Sequence, residues 1–177
     1  MAVQHAISPY PPGAGLQYLP LRLLAPLPLP LLQPPLARIL RRVLRDHPGL
    51  PDRLGSSSGK AFLIDPLNLP FVFLLQPDPR RPRLRAWRRG MTPPSDTRIA
   101  GTFLTLLDLI DGELEGDALF FSRDLSVTGD TEAAVALRNA LDDIDGSVAD
   151  SIASALGPPG TRFLSELRCL RGGLRHA

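Results

Sequence analysis

Lysine, cysteine, histidine and aromatic side chains are all scarce in this chain of 177 residues. The one cysteine, Cys169, excludes an internal disulfide and fits a reducing compartment. His5, His47 and His176 lie far apart in sequence, which argues against a zinc site. Aromatic residues make up 6% of the chain, too few for a run of base-stacking platforms. Lys60 is the lone lysine, and arginine carries the rest of the positive charge. No unbroken apolar stretch offers a membrane span. The run LPLRLLAPLPLPLLQPPL (19–36) is cut by prolines and by Arg22. No basic segment precedes it, so no signal peptide is expected and the protein is expected to be cytoplasmic.

Proline, by contrast, is abundant at 20 residues and concentrated in the front half. Charge is also divided. Residues 1–100 carry a balance of +9 and residues 101–177 one of −7, so one side of the surface is expected to be electropositive. The expected organisation is a proline-rich irregular arm (1–34), a single domain (35–146) and a helical tail (147–177) of one or two short helices.

PLARILRRVLRD (35–46) has apolar residues at helical spacing, with Pro35 suited to the first turn. Its other face carries Arg38, Arg41, Arg42 and Arg45, a membrane or partner surface by charge. Strand formers follow in KAFLID (60–65), LPFVFLLQ (69–76), RLRAWRR (83–89) and DTRIAGT (96–102), which read as an antiparallel meander. TFLTLLDLID (102–111) is a helix apolar on most of its circumference. A short helix (116–121), a strand (124–129) with Leu125 and Val127 inward, and a long helix capped by Asp130 complete the domain. Ala134, Leu137, Leu141 and Ile144 form that helix's apolar stripe. The fold class is therefore α+β: an antiparallel sheet of about five strands covered by helices, with a basic amphipathic helix in front.

Catalytic patterns are missing. LGSSSGK (54–60) is one residue short of a phosphate-loop spacing and has Ala61 where a hydroxyl is needed. Ser56, Ser57 and Ser58 have no nearby base. Asp108 with Asp111, and Asp142, Asp143 and Asp145, read as solvated helix ends rather than acid–base or metal pairs. Arg80, Arg81, Arg83, Arg85, Arg88 and Arg89 around Trp87 raise a nucleic-acid-binding module as the alternative. The plainer reading of that strand is a solvated sheet face opposite acidic groups of the second half. What remains is apolar surface. Burying about eight methylenes of a guest yields roughly 6 kcal/mol before the costs of binding.

Three segments carry a family resemblance: GKAFLIDPLNLPFVFLLQP, TRIAGTFLTLLDLIDGELEGDALFFSRDL and GDTEAAVALRNALDDID. Together they resemble sterol carrier protein 2-like lipid-binding domains. More narrowly, they resemble the bacterial accessory factors of oxygen-independent ubiquinone biosynthesis. The resemblance implies a non-enzymatic carrier without a cofactor. It would bind prenylated quinone intermediates or phospholipid and present the intermediates to peptidase U32-like iron–sulfur hydroxylases. The cluster would belong to that partner, because one cysteine cannot ligate it. Peripheral contact with the inner membrane is compatible with this role, and a generic sterol or lipid carrier is a third possibility. The lipid-binding residues implied are Phe71, Phe73, Phe103, Leu107, Phe120, Phe121, Leu125, Val127 and Leu137, between the sheet and its covering helices.

Overall fold

The computed structural model describes residues 28–111, 125–142 and 147–174. Helix α1 (Leu29–Asp46) begins in the segment expected to be irregular, six residues before Pro35. Pro30 falls in its first turn, where a missing N–H costs nothing. Pro34 and Pro35 lie inside and remove two helical donors. Tertiary contact compensates: α1 packs against the third strand, and Gln33 Nε2 donates to the Ala86 carbonyl at 2.9 Å. Leu40 and Val43 form the buried face further along.

A short helix α2 (Leu50–Arg53) and a 3-10 turn (Gly55–Gly59) lead into the sheet. The glycine-serine segment that faintly matched a phosphate loop is that 3-10 turn, and a strand follows it. Strands β1 (Phe62–Pro66), β2 (Phe71–Gln76) and β3 (Arg83–Arg88) form the expected meander. The fourth strand departs from it. Strand β4 (Thr97–Gly101) lies beside β1 and runs parallel to it, with Ile64 opposite Ile99. Strand β5 (Leu125–Gly129) closes the far edge antiparallel to β4, giving the order β3-β2-β1-β4-β5. The sheet thus has the expected five strands, with one parallel pairing at its centre.

Residues 89–96 must therefore pass β2 and β1 and return from the Arg88 end of the sheet to the Phe62 end. A hairpin turn cannot do this, because it joins only antiparallel neighbours. Helices α3 (Phe103–Asp111), α4 (Thr131–Asp142), α5 (Val148–Ala155) and α6 (Pro158–Leu174) complete the described chain. The expected helix at 116–121 and the stripe residue Ile144 lie outside the described residues.

Alternation along the strands sorts the side chains onto two faces. Phe62, Ile99, Leu125 and the partly buried Ile64, Leu75 and Val127 join Val43, Leu106, Leu137 and Val148 in the main core. Phe62 is fully buried, and removing it from water contributes roughly 2–3 kcal/mol. The other face carries a smaller cluster of Leu63, Val72 and Leu74, with Ala61 and Trp87 against it. Helix α1 packs on β3, the edge strand, and Gln33 occupies one backbone carbonyl there.

Candidate functional site

The strand register brings four of the expected lipid-binding residues onto one side of the sheet. Phe73 of β2 lies opposite Ile64 of β1, which lies opposite Ile99 of β4, which lies opposite Val127 of β5. Phe71 and Leu125 are each two residues away on their strands and so share that face. The rings of Phe71 and Phe73 meet edge to face, with centroids 5.5 Å apart. Leu125 and Leu137 are buried in the main core, and Val127 packs on it. Phe103 and Leu107 are half-buried on α3, which packs on β4 and α4. Phe120 and Phe121 lie outside the described residues.

Several members of this layer were not singled out from sequence. Leu50 and Leu54 come from the short turns before β1, and Val148 from the tail. Phe62 and Ile99 carry a strand signal, but alternation alone does not say which face of a two-sided sheet is covered. Leu106 belonged to a helix apolar nearly all round, and packing picks it out as the buried member.

Two polar devices fix the ends of the layer. At the start of α3, Thr102 Oγ1 accepts from the Thr105 amide at 3.1 Å, and Asn68 Oδ1 accepts from the Phe103 amide at 2.8 Å. At the start of α4, Asp130 caps as expected, its Oδ1 accepting from the Ala133 amide at 2.9 Å. Its other oxygen pairs with Lys60, and its carbonyl accepts from Thr97 Oγ1 at 2.7 Å. The Lys60 ammonium, and then the Ala133 amide, hold the Asp130 carboxyl below its ordinary 3.8. Asp130 in turn raises Lys60 above 10.5.

The arginine-rich strand divides its charges. Arg83, Arg85 and Arg88 are exposed on β3, while Arg89 just beyond it turns to Asp65 on β1, where it is joined by Arg98 of β4. Asp65 is only 3% exposed. Arg89 Nη2 lies 2.8 Å from its Oδ1, and Arg98 Nε donates to its Oδ2 at 2.9 Å. The acid facing these arginines thus comes from the first half of the chain, not from the acidic second half. Arg89 Nη2 also donates to the carbonyls of Pro66 and Leu69, which anchors the start of the crossing connection.

Arg38, Arg41, Arg42 and Arg45 are exposed on α1 as their spacing predicts. Arg42 pairs with Asp46 at 2.8 Å, and Arg41 Nε donates to the Ala37 carbonyl at 3.1 Å. Arg38 and Arg45 flank them on the same helix.

One constellation combines serine, histidine and aspartate. Ser151 Oγ donates to Asp46 Oδ2 at 2.8 Å and lies 3.3 Å from His47 Nε2. A hydrolytic triad needs the carboxylate to orient the imidazole and the imidazole to take the serine proton. Here the carboxylate itself accepts from the serine, so the arrangement joins α5 to α1 rather than activating Ser151. The Ser151 hydroxyl, more than the neighbouring Arg42, holds Asp46 below its ordinary 3.8. Among the described residues, no group of three or more histidines, cysteines or carboxylates could hold a metal ion. Nor is any described helix long and apolar enough to cross a membrane.

A structure described as "UbiJ-SCP2 Ubiquinone synthesis protein" aligns with a TM-score of 0.51 and 19% identity. The alignment covers 64% of this chain and 90% of that one. The apo form of sterol carrier protein 2 from Yarrowia lipolytica aligns at 0.41 and 15% identity, over 58% and 84% of the two chains. A possible sterol carrier protein from Thermus thermophilus aligns at 0.38 and 14% identity, over 63% and 88%. No curated protein matches the sequence. The SCP-2 sterol transfer family matches residues 36–142, from the first basic helix to the end of α4. With most of the chain inside that match and the five-stranded sheet under its helices, the protein belongs to the SCP-2 sterol transfer family.

Proposed function

We propose that the protein is a non-enzymatic lipid-binding accessory factor of quinone synthesis. It holds the prenyl tail of a ubiquinone precursor between the sheet and its helical cover. It then presents the aromatic head to a hydroxylase of the oxygen-independent pathway. The observation that carries this reading is the single apolar sheet face shared by Phe71, Phe73, Leu125 and Val127, with α3 and α4 packed on its β4 side. A guest held by apolar contact needs no reactive side chain, and each buried methylene contributes about 0.8 kcal/mol. The ubiquinone-synthesis description of one structural neighbour and the three sequence segments point the same way.

The partner is a peptidase U32-like iron–sulfur hydroxylase, which supplies the redox chemistry. Phe103, Leu107 and Leu137 line the helical side of the guest's space. The exposed arginines of α1 meet the anionic inner-membrane surface, from which a hydrophobic precursor must be collected.

The test is to purify the protein without detergent and extract it for mass spectrometry. Co-purified prenylated phenol or quinone is the expected result, and empty protein that takes up no such molecule rejects the reading. A strain lacking the gene is expected to lose quinone made without oxygen while keeping aerobic synthesis. Phospholipid as the sole guest, with both quinone routes intact, would mark a generic lipid carrier instead.

A further inference from the structure

We propose that α5 and α6 form a hinged cover whose release at Ser151 sets the rate at which a lipid enters and leaves the layer between sheet and helices. This rests on the lipid-carrier reading above. The hairpin lies beyond the family match, which stops at residue 142, before α5 begins.

Helix α5 packs on both α1 and α3, two of the helices enclosing that layer. Val148 reaches the main core, with Ile152 against it. The rest of its buried side is small: Ala149, Ser151, Ala153 and Ala155. Small side chains remove little apolar area from water, so this seam adheres less than a leucine stripe of equal length.

The hairpin itself is tightly joined. Ala149, Ala153 and Leu164 form their own cluster. A Cβ on Gly160 would stand 2.5 Å from the Ala153 carbonyl oxygen, so the two helices are in close backbone contact. Arg168 donates to Asp150 at 2.8 Å and to Ser147 at 3.1 Å. Two helices so joined move as one body. Against α1 the polar joint is Ser151 on Asp46 and His47, at the helix end. Opening the hairpin breaks that joint, withdraws Val148 and Ile152 from the main core, and leaves every strand pairing intact.

The test uses the full chain with Cys169→Ser, carrying Asp46→Cys and Ser151→Cys as a reversible cross-link. The probe is a farnesylated phenol bearing a nitrobenzoxadiazole fluorophore. The linked form is expected to take up the probe about tenfold more slowly than the same protein after reduction. Ser151→Ala in the otherwise unchanged chain is expected to exchange the probe about threefold or more faster, at an affinity within about twofold. Equal uptake by linked and reduced protein, or unchanged exchange in Ser151→Ala, overturns the hinge. If the unmodified protein takes up no probe in any state, the carrier reading itself fails and takes the hinge with it.

Discussion

Gly129 and Asp96 touch backbone to backbone. A Cβ on Gly129 would stand 2.3 Å from the Asp96 carbonyl oxygen, and that same oxygen accepts from the Asp130 amide at 2.9 Å. The strand-to-helix turn at the end of β5 is thus built against Asp96 and Thr97, where the chain enters β4. With φ at +86°, Gly129 also occupies a backbone region that side chains rarely adopt.

Gly129→Ala is therefore expected to cost about 2–4 kcal/mol, from left-handed strain plus displacement of the Asp96 backbone. Gly55→Ala is the control. Its φ is +53°, but nothing lies within 4 Å of the added carbon, so about 1–2 kcal/mol is expected. Urea midpoints of the two variants check the difference, and equal losses would refute the close approach.

Asp130 and Lys60 give stability two opposite pH dependences. The folded Asp130 carboxyl titrates below 3.8, so its stabilisation is present above that value and is lost as pH falls through the folded value. Lys60 titrates above 10.5, so its stabilisation is present below that value and disappears as pH rises through the folded one. Asp130→Ala is expected to remove the pairing contribution at both ends. Urea midpoints measured against pH for both proteins check this, and parallel curves would refute it.

The buried Asp65 makes an asymmetric prediction. Arg89→Ala with Arg98→Ala leaves a carboxylate only 4% exposed without its cations, expected to cost about 3–5 kcal/mol. Adding Asp65→Ala to that double variant is expected to recover part of the loss, because the stranded charge is gone. Chemical denaturation of the double and triple variants decides it. A triple variant less stable than the double would show that the carboxylate is not the seat of the cost.

On the apolar face, Phe73→Ser and Val127→Ser each place a hydroxyl where the proposed guest lies. Both are expected to lower the lipid retained per protein by about tenfold, which is roughly 1.4 kcal/mol. Arg83→Ser on exposed β3 is the control, expected to retain lipid as the unmodified protein does. Extracted lipid per mole of folded protein is the measurement.

Local order was readable from the residues. The 2-residue and 3.6-residue periods located β1, β2, β3, β4, α3 and α4 to within one or two positions. Gly129 and Asp130 announced a turn and a cap, and both are present. The inward pair Leu125 and Val127 followed from alternation. Proline was the misleading signal: Leu29–Gln33 is helical because β3 supplies packing and a carbonyl for Gln33. Local propensity does not contain that contact.

The chain alone therefore determined which segments become strands and helices, which of their sides are apolar, and where α4 begins. These depend on backbone spacing and on hydrogen bonds reaching three or four residues. Tertiary structure decided that β4 returns to β1, that Asp65 meets Arg89 and Arg98, and that Ser151 finds Asp46. Those pairings span from about twenty to more than a hundred positions. They are chosen by which compact arrangement buries the apolar faces while leaving buried charges paired, a competition that no short stretch of sequence records.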